Sequence, residues 1–261
     1  MKRMRSLVNS FVVCGVALAM VSSLAAQTVT QVSAKVVRVK GNARYNIAGG
    51  AWQPLKIGNE LNAGAIIETA ANSQVDLLLG EGAPVGGPVP SLPGMANYQP
   101  TAQQNMVRMT ENSRLALDKL TSTKTGRDVV TDTEMDLQAG RIFGTVKKLS
   151  AASKYEVKLP SGVAAIRGSD YEFDAAGVVK MLTGSADVRY PDASGTQQMQ
   201  PVKGGWQFDI PTATLKPLPP AEQHGMEVVI NQLVVVPVST AHVVAPVEPV
   251  ATTEQGPVSK F

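Results

Sequence analysis

The feature that most limits what this chain can fold into is a two-residue alternation of apolar and polar side chains, cut at short intervals by glycine. "AKVVRVKGNARY" alternates around Val37 and Val39. "NMVRMTENSRLALDKL" places Val107 and Met109, then Leu115 and Leu117, on alternate positions. "QVDLLLG", "EMDLQAGRIFGTV", "KYEVKLP", "DYEFDAAGVVKMLTGSADVRY" and "GGWQFDI" continue the pattern. Gly41, Gly58, Gly64, Gly140, Gly162, Gly168, Gly177, Gly184 and Gly195 punctuate it. Strand side chains point alternately to the two faces of a sheet. Short runs of this kind with glycine turns every ~8–12 residues predict an all-β domain. No sustained i, i+3, i+4 apolar stripe is read beyond the N-terminal leader, so little helix is expected.

Proline divides the chain. Of 17 prolines, five fall in 84–100 and eight in 211–257. Proline removes a ladder donor and is kept out of strand interiors. The expected folded body is therefore 27–210, with an irregular, disordered insertion at 80–105 inside a hairpin between "QVDLLL" and "MVRMTENS". A binding loop is the alternative for that insertion. The tail, 211–261, reads as a Pro-rich, largely disordered linker. Within it Met226–Val238 is β-branched and nearly uncharged. It is expected to add an edge strand, to form a short helix against the body, or to dock on another chain by strand addition.

The chain opens with Lys2, Arg3 and Arg5, then a mostly apolar run from Leu7 to Val21, then small residues at Ala25 and Ala26. That is the pattern of a cleavable signal peptide at 1–26, and it predicts a periplasmic or secreted protein. An uncleaved anchor is the alternative, but a span wants about 20 apolar residues. Membrane contact is expected only through this leader. The one cysteine, Cys14, lies inside it, so the remaining chain has no thiol for disulfides, metal or nucleophilic chemistry. The formal charge of +3 equals the leader's three cations, so the body is near neutral and nucleic acid is not an expected partner.

In this order, "VVRVKGNARY", "AWQPLKIGNELNAGAIIETAANSQVDLLL", "VRMTENSRLAL", "MDLQAGRIFGTV", "YEVKLPSGVAAIRGSDYEF", "VVKMLTGSADVRY" and "VKGGWQF" resemble the FecR domain family of bacterial envelope proteins. The resemblance runs over about 35–210 and is strongest at 155–173. There Ser169 stands where the family usually has threonine, which keeps the hydroxyl. The resemblance implies a periplasmic module of twisted β-solenoid, β-roll-like form. In iron-uptake signalling it couples an outer-membrane receptor to a membrane-bound sigma-factor regulator. Three departures are noted: no N-terminal cytoplasmic anti-sigma domain, no clear transmembrane helix, and a Pro-rich tail where a second receptor-binding domain is expected.

Candidate residues are few. Arg167, directly after an apolar run, is expected to be buried. There it would bond backbone carbonyls at a corner and pair with Asp170 or Glu172, forming with Gly168, Ser169 and Asp170 a structural motif. Anion binding is its alternative role. In "SDYEFD" a strand puts Asp170, Glu172 and Asp174 on one face and Tyr171 and Phe173 on the other. The acidic face is expected to be solvated. It is also a candidate for binding, but i, i+2 carboxylates do not form a calcium cage, and no metal or other cofactor is expected. Trp52 and Trp206 follow glycine pairs and are expected to cap turns with their rings on the core, with sugar stacking as the alternative. The only histidines, His224 and His242, lie in the tail, which leaves the body without a Ser-His-Asp triad. The leading expectation is a non-catalytic envelope scaffold or binding module for an envelope protein or a cell-wall glycan. The rival is a periplasmic signalling regulator coupling an outer-membrane partner to transcriptional control, and a weaker alternative is a carbohydrate-active enzyme.

Overall fold

The computed structural model describes residues 29–80, 105–125 and 128–233. The elements are β1 (Val29–Gln31), β2 (Ala34–Lys40), β3 (Ala43–Ile47), β4 (Gln53–Pro54), β5 (Glu60–Leu61), β6 (Ala65–Thr69), β7 (Gln74–Leu79), β8 (Asn105–Met109), β9 (Arg114–Thr125), β10 (Asp128–Ala139), β11 (Arg141–Val146), β12 (Lys154–Leu159), β13 (Gly162–Ile166), β14 (Ser169–Asp174), β15 (Val178–Met181), β16 (Ser185–Pro191), β17 (Gln197–Lys203), β18 (Trp206–Asp209), β19 (Thr214–Pro217) and α1 (Pro220–Asn231). The all-β expectation holds for the body. The first sheet has ten strands, nine of them in the order β17-β16-β13-β12-β10-β9-β6-β3-β4, with β1 on β9. The second has nine, in the order β19-β18-β15-β14-β11-β8-β7-β2-β5.

The chain builds both sheets at once. It crosses from one to the other at β1–β2, β2–β3, β4–β5, β5–β6, β6–β7, β8–β9, β10–β11, β11–β12, β13–β14, β15–β16 and β17–β18. Each crossing bends a long ribbon, and the bent ribbons stack. Neighbouring strands are antiparallel except for the parallel pair β10 and β12. One buried apolar cluster draws Val36, Val75, Leu77, Val107, Tyr171 and Phe173 from the second sheet and Ile67, Leu115, Met135, Val157 and Val188 from the first. The alternation read from the sequence is thus the inward face of both sheets, except in β2, where a bulge between Val36 and Arg38 turns Val36 inward and leaves Val37 on the outer side.

Three corners share one construction. Gly41, Gly140 and Gly184 have φ of 74°, 72° and 69°. The N–H after each, from Asn42, Arg141 and Ser185, donates to the hydroxyl of Ser73 (2.9 Å), Ser113 (3.0 Å) and Ser169 (2.9 Å). Each serine belongs to the neighbouring crossing. A Cβ on Gly140 would lie 2.4 Å from Ser113 Oγ and 2.6 Å from its Cα. Glycine is required there twice over, for the left-handed backbone and for the close approach. Thr69 joins two of the corners: its hydroxyl donates to Thr110 O (2.6 Å) and accepts from Ser113 N–H (2.9 Å).

Inside, Tyr171 stacks on Phe173 at 4.4 Å and its hydroxyl meets that of Tyr155 at 3.0 Å. Gly144 leaves room for this ring, since a Cβ there would sit 2.2 Å from it.

Two parts of the domain reading change. The hairpin placement is right, since β7 pairs with β8 across the insertion, but 81–104 lie outside the described residues. The tail is not irregular throughout. Strand β19 and helix α1 occupy 214–231, because Pro219 and Pro220 suit a helix start, where no N–H partner is lost. Of the three outcomes weighed for Met226–Val238, a helix is found up to Asn231. Residues 234–261 lie outside the described residues.

Two predictions follow from the corners and the tyrosines. Gly195 has φ 83° with nothing within 4 Å of a built Cβ, so Gly195→Ala incurs only the left-handed penalty of about 1–2 kcal/mol. Gly140→Ala adds a backbone collision, and its thermal midpoint should fall about twice as far or more. Equal shifts would refute the corner's role. Burial raises the pKa of both Tyr155 and Tyr171 above the ordinary tyrosine value. The folded state then binds more protons than the unfolded state above about pH 10, so stability falls as pH rises past that point. In an absorbance titration these two tyrosinates should appear only together with unfolding.

Candidate functional site

The outer face of the second sheet carries a single cross-strand row. Register places Arg38 opposite Asp76, Asp76 opposite Arg108, Arg108 opposite Phe143, Phe143 opposite Glu172, Glu172 opposite Lys180, Lys180 opposite Gln207, and Gln207 opposite Lys216. Directly paired residues share a face, so these eight side chains stand in line over eight strands.

At the centre is a buried ion pair. Arg108 and Asp76 are 2% and 1% exposed. The guanidinium donates through Nε to Oδ1 and through Nη2 to Oδ2, both at 2.7 Å. This two-pronged geometry offsets the cost of taking both charges out of water. Arg38 adds a second cation at 3.4 Å from Asp76. Further along, Glu172 (5% exposed) meets Lys180 at 3.2 Å and Arg141 at 3.3 Å.

Helix α1 lies over this row. Met226, Ile230 and Leu233 pack with Leu218 on Met106 and Phe143, with Val37, Leu78 and Leu182 at the margin. Both ends are held by the row. At the start, Glu222 pairs with Lys180 at 2.7 Å. At the finish, Arg108 Nη1 donates to Gln232 Oε1 at 3.1 Å and to Val229 O at 3.5 Å, and Nη2 to Gln232 O at 3.4 Å. Cations at a helix C-terminus meet its negative dipole end and its unpaired carbonyls. The lengths agree. From Lys180 to Arg108 the row crosses three strand spacings, about 14 Å. Glu222 to Gln232 along a helix axis covers about 15 Å. Burial opposes a charge on Lys180, but the Glu222 and Glu172 carboxylates outweigh it and raise its pKa.

The residues singled out from sequence are placed as follows. Tyr171 and Phe173 point inward, and Asp170, Glu172 and Asp174 outward, as the alternation requires. The acidic face is not solvated throughout, however, because Glu172 sits beside Lys180 near the foot of α1. Asp174 is half-buried and 3.4 Å from Arg141. Asp170 accepts from the Thr183 hydroxyl at 2.9 Å. Arg167 corrects an expectation: it is exposed, and its recorded bond is a long one of 3.5 Å to Ala151 O. The apolar run before it is an ordinary strand, β13, and its corner turns the guanidinium outward. The corner residue in Arg-Gly-Ser is Ser169, buried, whose hydroxyl accepts from Ser185 N–H and donates to Ser185 O at 3.1 Å. Gly168, at φ 121°, closes on Lys148.

The tryptophans also differ from expectation. Trp206 is 39% exposed, on β18 beside the edge strand β19. Trp52 is half-buried with the Arg44 guanidinium 4.5 Å and that of Arg114 5.9 Å from its ring centre. Neither ring joins the core cluster. Among the described residues, no group of three or more His, Cys, Asp or Glu side chains is placed to hold a metal ion. No helix among them is long and apolar enough to cross a membrane.

Arg108, Asp76 and Lys180 were not singled out from sequence. A signal for them was present. Leu77-Leu78-Leu79, Met106-Val107 and Ile142-Phe143 are apolar on both strand faces, which means a second layer covers the outer face.

Comparison with known proteins finds a family likeness over part of the chain. Residues 99–187 match the family model described as FecR protein, which shows the FecR resemblance for that stretch, from ahead of β8, the strand of Arg108, into β16. The match holds Arg108, Phe143, Glu172 and Lys180, but not Asp76 or α1. No curated protein matches the chain. Two crystal structures, each of a proposed anti-sigma factor from Parabacteroides distasonis ATCC 8503, are similar. One has 14% identity and a TM-score of 0.31, with 44% of this chain and 50% of that one covered. The other has 11% identity and a TM-score of 0.28, with 73% and 60% covered. The chain thus spans one half to three fifths of those chains.

A mutant pair tests the buried ion pair. Arg108→Met alone leaves the buried Asp76 with only the longer contact to the half-exposed Arg38, and should cost about 3 kcal/mol in denaturant unfolding. Combining it with Asp76→Leu should recover most of that loss. Arg167→Ala should leave the thermal midpoint within about 2 °C of the parent. A double variant no better than the single, or a large effect at 167, would contradict the placement.

Proposed function

We propose that the chain is a non-catalytic envelope module of a signalling regulator, one that receives a state change from an outer-membrane protein and passes it towards transcriptional control. The observation that carries this reading is the FecR match at 99–187. It falls on the strands that hold the middle of the outer-face row. This promotes the reading set second from sequence over the scaffold or glycan-binding module. Nothing in the surroundings of the tryptophans favours sugar stacking: Trp52 is flanked by two guanidiniums, and Trp206 stands at a sheet edge. The Glu172 carboxylate is engaged by Lys180 and Arg141, which suits a structural ion pair better than glycosidase chemistry.

The proposal includes location and form. The leader, 1–26, is removed on export, and the module works in the periplasm with its partner an envelope protein. The folded part from 27 to 210 is the FecR-type twisted solenoid, built here from bent antiparallel ribbons. The β19–α1 segment is added to it, and 80–105 is an insertion.

Photocrosslinking in intact cells tests the reading, with the crosslinker at exposed Leu215 or Met199. The expected product is an adduct with a specific outer-membrane protein, and deleting that protein should change the same transcripts as deleting this chain. Capture of peptidoglycan alone, or release of reducing sugar lost on Glu172→Gln, would contradict it.

A further inference from the structure

The helix over the row depends on the sheet for the groups that hold it. It has 12 residues, with Gly225 in the middle. Its first position is preceded by Pro219, with no side-chain cap, and no basic residue lies in its last turn. A helix of that length with an internal glycine is marginal in water. The sheet supplies what is missing. Arg108 caps the final carbonyls, Lys180 takes the acid of the first turn, and Met106 and Phe143 take the apolar stripe Met226, Ile230 and Leu233. Forming α1 and docking it are therefore one event. Val228, 45% exposed, lies on the side away from the sheet.

We propose that the outer face of the second sheet is a helix-binding site, that α1 is its occupant in cis, and that a helix of a partner protein replaces α1. The row defines that partner: an acid in the first turn to reach Lys180, apolar side chains at i, i+4 and i+7 for the Met106–Phe143 ledge, and free terminal carbonyls for Arg108. A partner helix with better intrinsic helicity than α1 binds without the ordering cost that α1 meets each time it docks. The exchange releases α1 and Leu233 from the sheet. This rests on the signalling reading for its purpose, but not for its chemistry. The helix exchange is tested on purified protein, and the crosslinking experiment stands or falls separately.

Two measurements decide it, both in the full chain with Cys14→Ser. First, a thiol at Ile230→Cys should be labelled through local opening, ~100-fold or more faster than one at Leu115→Cys in the inner core. Second, a fluorescent synthetic peptide of Leu218–Leu233 stands in for the partner helix. It should bind the Ile230→Asp chain, whose own helix is released, at least ~30-fold more tightly than the parent. Adding Phe143→Asp to that chain should abolish binding. The proposal is overturned if the thiol at 230 reacts no faster than the core thiol. It is also overturned if a folded Ile230→Asp chain fails to take the peptide. Should Ile230→Asp fail to fold, the labelling ratio alone decides.

Discussion

The left-handed glycine closing on a serine of the neighbouring ribbon is the constraint on which the rest stands. A strand that must leave one sheet and enter another loses its ladder at the bend, and an N–H is left without a backbone partner. At Gly41, Gly140 and Gly184 that N–H is answered by a serine hydroxyl from the next crossing. The corners therefore stack in register as well as bend. Because each corner fixes where its two strands enter their sheets, it also fixes which side chains share a face. A one-residue slip would turn every inward valine and leucine outward. The outer-face row from Arg38 to Lys216 is the product of that register, carried across eight strands.

The two faces of the second sheet are used differently. The inward face is apolar and shared with the first sheet, with the paired tyrosines in its middle. The outer face mixes charge with a short apolar ledge, and α1 covers part of it. The outer face of the first sheet carries a mesh of surface pairs instead, Lys154 with Glu134 and Glu156, Lys158 with Asp118, and Arg189 with Glu156. Such exposed pairs add little stability, but they keep a wide sheet face soluble. The two outer faces thus differ in kind: one sheet presents solvated ion pairs, the other an apolar ledge with buried charges.

Much of this was legible in the residues. Alternation and glycine spacing gave the strands. The ordered motifs gave the FecR resemblance. What the residues hid depended on partners far apart in sequence. Arg167 drew attention because it follows an apolar run, whereas the buried arginine is Arg108, whose partner Asp76 lies 32 residues earlier, across the insertion. In "RGS" the working group is the serine hydroxyl. The same corner recurs as Asn72-Ser73 and Asn112-Ser113, with asparagine in the left-handed region at φ 55° and 53°. That repeat of an Asn-Ser pair was visible in the sequence. The helix was obscured by its β-branched residues Val228, Val229 and Ile230, which favour strand, and by prolines that here open a helix.

The central claim is that the corners, and not only the apolar core, hold the ribbons in register. Backbone amide exchange measured residue by residue tests it most directly. The account predicts that Asn42, Arg141 and Ser185 N–H exchange as slowly as the neighbouring ladder amides of β3, β11 and β16, even though they bond to side chains and lie at bends. Exchange at the rate of exposed turn amides, such as those around Gly195, would contradict it.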